Sequence, residues 1–71
     1  HPREVLKPAI EYGAAAFILV HNHPSGVSTP SVSDIKITEQ IVMAGKVLGI
    51  ALLDHVVVAR DSFTSVPVAY N

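Results

Sequence analysis

The chain has 71 residues, no cysteine, and a formal net charge of −1 from five basic and six acidic side chains. Its length allows one small domain at most, and such a domain buries only about 60% of its unfolded surface, so it is marginal alone. Disulfides and a cysteine metal cage are excluded, no basic stripe offers a nucleic-acid surface, and the longest charge-free apolar stretch, Ala14 to Val20, is too short to span a membrane. The hydrophobic fraction of 49% fits a chain built around a buried sheet rather than a disordered tail. The chain opens at His1, with no initiator methionine and no visible signal peptide, and we read it as a fragment of a longer protein. The lack of cysteine is compatible with a cytoplasmic setting.

The first expected element is a helix opened by Pro2-Arg3-Glu4, where proline suits the first turn and glutamate complements the helix dipole. Val5, Ala9, Ile10 and Tyr12 give it a rough apolar stripe, and Gly13 stands where the helix should end. Pro8 falls inside it, which predicts a kink or a later start. Ala14 to Val20 is a continuous apolar run, as expected of a strand covered on both faces. His21 to Pro30 is rich in Pro, Ser and Gly and reads as a loop. Ser33 to Leu48 reads as a second helix, with Ile37, Ile41, Ala44 and Leu48 on one face and Gly49 at its end. Ile50 to Ala59 is a second strand, interrupted by Asp54 and His55. Arg60-Asp61-Ser62 makes a turn, and Phe63 to Tyr70 can add a short antiparallel strand that Pro67 confines to an edge. The strand–helix–strand core favours two parallel strands in an α/β sheet, and sites in such sheets form beyond the carboxyl ends of the strands.

His21 and His23 stand at that place. In an extended segment alternate side chains point the same way, so both imidazoles can face one metal while Asn22 faces away. Asp34, about one turn into the next helix, can close the site with its carboxylate. Two histidines and a carboxylate can hold zinc and leave its fourth position open, which marks a catalytic rather than a structural site. Ser31-x-x-Asp34 is also a fair capping box, which explains those two residues without any metal. Two histidines in a loop are often merely solvated, but their conjunction with Pro24 and the following carboxylate favours a metal.

The string His21-x-His23-Pro24, six residues, then Ser31-x-x-Asp34 resembles the JAMM motif of the MPN+ (JAB-type) metalloproteases. More narrowly, His21-Asn22-His23-Pro24-Ser25-Gly26, Thr29-Pro30-Ser31, Asp34-Ile35 and Asp54-His55-Val56 resemble the bacterial RadC family, as does the opening His1-Pro2-Arg3-Glu4-Val5. The resemblance covers essentially the whole chain. It implies a three-layer JAB/MPN sandwich of the cytidine-deaminase-like kind, with a mixed sheet flanked by helices. Residues 1–71 would be its C-terminal portion, without the N-terminal strands. It further implies that His21, His23 and Asp34 ligate Zn2+, and that Ser31 stabilises the oxyanion or orients the bound water.

The implied reaction is hydrolysis of an amide or isopeptide bond in a peptide or protein substrate by a zinc-activated water, with a glutamate as general base. In the JAMM arrangement that glutamate comes from a strand upstream of the histidines, which this chain starts too late to contain. Glu4 reads as serving the N-terminus of the first helix, and Glu11 and Glu39 read as solvent-facing. Asp54 and His55 interrupt an otherwise buried strand and need partners. One of them can support a ligand histidine from behind, or both can be hydrogen-bonded structural residues; on a strand they point to opposite faces. A scaffold that keeps the metal motif without cleavage is the alternative to an enzyme. A nuclease of the HNH type rests only on the letters His21-Asn22-His23. The RadC label carries a historical association with DNA repair, but nothing in these residues implies direct nucleic-acid contact or membrane attachment. Open sheet edges would allow oligomers.

Overall fold

The computed structural model describes residues 1–70. Helix α1 spans Pro2–Glu11, strand β1 Ala16–Asn22, helix α2 Val32–Leu48, strand β2 Ala51–Val58 and strand β3 Phe63–Ser65. The sheet order is β1-β2-β3, with β1 parallel to β2 and β2 antiparallel to β3. The result is a small α/β fold with a mixed sheet, in which α2 joins the parallel pair and packs on β2, and α1 packs on α2. Among the described residues no helix is long and apolar enough to cross a membrane.

Helix α1 starts at Pro2, capped by the His1 ring, whose Nδ1 accepts from the Arg3 N–H at 3.4 Å. It runs on through Pro8 rather than starting later. Pro8 cannot donate to the Glu4 carbonyl, but Glu4 is exposed and water can take that bond. The buried face is Leu6 and Ala9, with Val5 half-buried; Ile10 and Tyr12 are exposed, against the expected stripe. Tyr12 is already the C-cap, and Ile10 lines an open groove between α1 and α2 with Leu6, Ala44 and Leu48.

Strand β1 extends two residues past the apolar run, because His21 and Asn22 pair with Val57 and Val58 of β2. Its inward residues Phe17 and Leu19 pack against Ile41, Val42 and Leu52. Its outward residues Ile18 and Val20 are exposed, so among the described residues only one face of the sheet is covered, not the two expected. Leu53 and Phe63 are also exposed.

The parallel register slips once. Phe17 pairs with Leu52 but Ile18 pairs with Asp54, so Leu53 is an extra residue in β2. Such a bulge resets the alternation beyond it. The inward positions therefore run Leu52, His55, Val57, and Asp54 is turned from the inner face. Strand β3 is shorter than expected: after Ser65 the ladder keeps one further bond, from the Val66 N–H to the His55 carbonyl at 2.8 Å, before Pro67.

Helix α2 buries Asp34, Thr38, Ile41, Val42 and Gly45, positions that repeat at helical spacing. Leu48, expected on that face, is exposed. Gly49 at φ 74° ends the helix in the left-handed region, which favours glycine. The chain then folds back so closely that the Ile50 N–H donates to the Gly45 carbonyl at 2.8 Å. A Cβ on Gly45 would collide with the Ile50 carbonyl oxygen. Alanine is intrinsically the better helix former by about 1 kcal/mol, yet the collision should win. Gly45→Ala is expected to destabilise the full-length protein by about 1–3 kcal/mol, read as a lower thermal midpoint; an unchanged or higher midpoint would contradict the close approach.

Candidate metal centre

The last residues of β1 and the first turn of α2 meet at one end of the sheet. His21 is held by the β ladder, and the His23 N–H donates to the Val58 carbonyl at 2.9 Å, so both imidazoles leave an extended backbone on the same side. The loop behind them is fastened to the β3 hairpin. The Ser62 hydroxyl donates to Ser28 Oγ at 2.8 Å, and Ser28 Oγ and Thr64 Oγ1 lie 2.9 Å apart.

Asp34 is fixed by a complete capping box. Its N–H donates to Ser31 Oγ at 3.0 Å, and the Ser31 N–H donates to Asp34 Oδ2 at 2.8 Å. The two explanations of Ser31-x-x-Asp34 are therefore compatible: the cap aims the carboxylate rather than consuming it. Asp34 Oδ1 faces His21 Nδ1 at 3.5 Å, and Oδ2 faces His23 Nε2 at 3.3 Å. One ligand atom from each residue lies within 4.8 Å of the others. A tetrahedron with bonds of about 2.0–2.1 Å has edges of about 3.3 Å; the two histidine–carboxylate contacts, one to each Asp34 oxygen, are of that size, and the widest separation in the group, up to 4.8 Å, would have to shorten around an ion.

The protonation pattern suits a cation. His23 Nδ1 lies 3.0 Å from the Val27 carbonyl, which can only accept, so Nδ1 carries the proton. Nε2 is the ring atom turned toward Asp34, and it is the atom that would offer a lone pair to a cation there. The Ser31 N–H, donated into its carboxylate, holds Asp34 below its ordinary pKa against the opposing effect of burial, with smaller help from the Ser31 hydroxyl and from the two imidazoles when they are protonated.

Behind His21 sits His55. The bulge turns its ring inward, where it stacks on His21 with centroids 6.0 Å apart and planes 25° apart. His23 meets His21 edge-on at 4.7 Å. His55 Nδ1 lies 2.7 Å from Thr38 Oγ1, and its backbone N–H donates to Tyr70 Oη at 3.1 Å. Burial, with the nearby His21, pushes the His55 imidazole below its ordinary value of 6.5, and burial pushes the Tyr70 hydroxyl up. Asp54 instead accepts from the Ser65 hydroxyl at 3.2 Å, away from the group.

The carboxylates of Glu4 and Glu11 are elsewhere. Both lie on α1 at its groove with α2, and Glu11 lies 3.8 Å from Lys7. Glu39 is exposed on α2. Sequence reasoning missed Thr38, Tyr70, the Val27 carbonyl and the Ser28-Ser62-Thr64 cluster. Thr38 had a visible signal, since it lies four residues after Asp34 and so on the same helix face. The others depend on tertiary contacts.

A His55 that resists protonation makes stability depend on pH. Its folded pKa is depressed, so between that value and 6.5 the unfolded chain binds the extra proton. The contribution is fully present above 6.5 and is lost as pH falls toward the folded pKa. Asp34 adds a second loss at lower pH, as acidification carries its carboxylate below 3.8. In metal-free full-length protein, denaturant titrations should show stability falling on acidification below 6.5, by at most about 1.4 kcal/mol per pH unit for His55. His55→Phe should flatten that first slope, and an unchanged slope in the variant would contradict the assignment.

A family profile described as a RadC-like JAB domain matches residues 1–69. Among curated relatives, a UPF0758 protein of Syntrophomonas wolfei is 54% identical over 92% of this chain and 28% of its own length. One from Symbiobacterium thermophilum is 57% identical over 92% of this chain and 28% of its own length. One from Caldanaerobacter subterraneus is 59% identical over 82% of this chain and 25% of its own length. The chain thus spans less than a third of the length of these relatives, whose names carry no activity. With a match running almost end to end over the residues that build the His21-His23-Asp34 group, the chain belongs to the RadC-like JAB domain family.

Proposed function

We propose that this chain carries the metal-binding part of a zinc-dependent hydrolase of the JAMM type, acting on an amide or isopeptide bond in a peptide or protein. The observation that carries the reading is the convergence of the two imidazoles on the Asp34 carboxylate, with His23 Nδ1 on the Val27 carbonyl and its Nε2 turned to that carboxylate. Two histidines and one carboxylate are a donor set that suits zinc and leaves room for a water or substrate oxygen. In this reading His21, His23 and Asp34 hold the ion.

When bound, zinc supplies a Lewis acid for the scissile carbonyl and lowers the pKa of a coordinated water toward neutrality. The protein's own residues fix the geometry. Ser31 Oγ accepts the Asp34 N–H, and its hydroxyl proton, which also faces the Asp34 carboxylate, is assigned to the developing oxyanion or to the water. The general base that passes the proton to the leaving amine is assigned to a glutamate elsewhere in the full-length protein, since Glu4 and Glu11 line the groove between α1 and α2 and stand outside the His21-His23-Asp34 group. The same remainder is proposed to complete the three-layer sandwich, because Ile18, Val20, Leu53 and Phe63 leave an apolar sheet face open.

The first test is zinc content of the full-length protein by elemental analysis, followed by cleavage of peptide and isopeptide reporters. About one zinc per chain is expected, lost in His21→Ala, His23→Ala and Asp34→Ala. Ser31→Ala should keep the metal while losing a capping contribution of about 1 kcal/mol and most of any cleavage. Full zinc occupancy in Asp34→Ala with only a capping-sized loss of stability would leave Asp34 as a cap alone. A wild type without zinc after supply at neutral pH would overturn the hydrolase reading, and zinc without cleavage would turn it into a metal-keeping scaffold.

A further inference from the structure

We propose that Thr38 and His55 are a positioning pair that locks the strand-borne ligand His21 against the helix-borne ligand Asp34. The proposal deepens the metal reading above and rests on it.

Thr38 is fully buried and His55 is 5% exposed. Just along the same helix stripe, Ile41 and Val42 fill the core, so valine would be the ordinary choice at Thr38. A buried hydroxyl at such a position has to find partners. Thr38 Oγ1 finds two: the main-chain carbonyl of Asp34 at 2.5 Å and His55 Nδ1 at 2.7 Å.

The hydroxyl has one proton, and a carbonyl can only accept. Thr38 therefore donates to Asp34, and His55 donates its Nδ1–H to Thr38. This fixes both the tautomer and the rotation of the His55 ring. The backbone of His55 is held as well, its N–H on Tyr70 Oη at 3.1 Å and its carbonyl on the Val66 N–H at 2.8 Å. The ring so held is the wall on which His21 stacks. A continuous path then runs from the Asp34 carbonyl through Thr38 and His55 to the face of His21. It links a ligand on α2 with a ligand on β1 without using either one's metal-facing atoms. Groups that orient ligands in this way commonly alter metal affinity 10–100-fold when removed.

The experiment uses full-length protein, with Thr38→Val to remove the hydroxyl at nearly constant shape and Thr38→Ser to keep it. Zinc affinity is read by competition with a chromophoric chelator, ligand geometry by the visible bands of the cobalt(II)-loaded protein, and folding by the thermal midpoint of the metal-free form. Thr38→Val should weaken zinc by about 10-fold and shift the cobalt bands, and Thr38→Ser should restore both. Wild-type zinc affinity and cobalt bands in Thr38→Val, with only a lowered midpoint, would make the pair structural and overturn the proposal while leaving the metal site standing. A wild type that binds neither ion would overturn the metal reading itself and this proposal with it. Should Thr38→Val fail to fold, the imidazole nitrogen shifts of the wild type decide: a His55 protonated on Nδ1 upholds the path, and one protonated on Nε2 breaks it.

Discussion

The extra residue at Leu53 is the constraint from which the site follows. A strand alternates strictly, and one inserted residue exchanges its two faces from that point onward. Without it, Leu52 and Asp54 would share the inner face, and a carboxylate would be pressed against the middle of α2. With it, His55 lies inward and Asp54 is left beside Ser65. Imidazole is the cheaper group to bury, because it can stay neutral and still donate one hydrogen bond. Thr38 is there to receive that bond.

The buried stripe of α2 changes character along its length. Toward the C-terminus it is Ile41, Val42 and Gly45, packed on the sheet; toward the N-terminus it is Asp34 and Thr38. The polar end coincides with the carboxyl end of β1, where the parallel arrangement opens a crevice. The apolar half supplies adhesion, and the polar half supplies Asp34 to the His21-His23-Asp34 group. No buried side-chain polar atom among the described residues lacks a hydrogen-bond partner, so the site is not maintained at the expense of orphaned groups.

The order of elements and the place of the two histidines were legible because they rest on local rules: proline at a helix start, glycine at a helix end, an apolar run ending at polar residues. The His21-x-His23 spacing was readable because alternation in an extended chain needs no tertiary knowledge. The helix stripes were legible only in part. On α2 the expected stripe of Ile37, Ile41, Ala44 and Leu48 is right at Ile41, which is buried, and at Ile37, which packs on the core, but it misses the polar inward positions Asp34 and Thr38 and includes the exposed Leu48. On α1 the chain leaves the helix at Tyr12, which frees Ile10 and Tyr12 from the core. The bulge was hidden for another reason: Leu52-Leu53-Asp54-His55 carries no glycine or proline to betray it. The hydroxyl cluster of Ser28, Ser62 and Thr64 joins residues more than thirty positions apart, which no local spacing discloses.

The capping box at the head of α2 has a consequence for how an ion would arrive. In a zinc finger the ligands are scattered until the metal assembles them, so removing the ion unfolds the domain. Here Asp34 is immobilised by Ser31 through two hydrogen bonds that involve no ion, and His21 is pinned by the sheet. The site is preorganised. Uptake does not have to nucleate a helix or order a strand, and a chelator should strip the ion while the scaffold persists. Most of the entropy of assembling these three side chains is thus settled during folding, so an ion bound there would come and go without the protein being remade at each exchange.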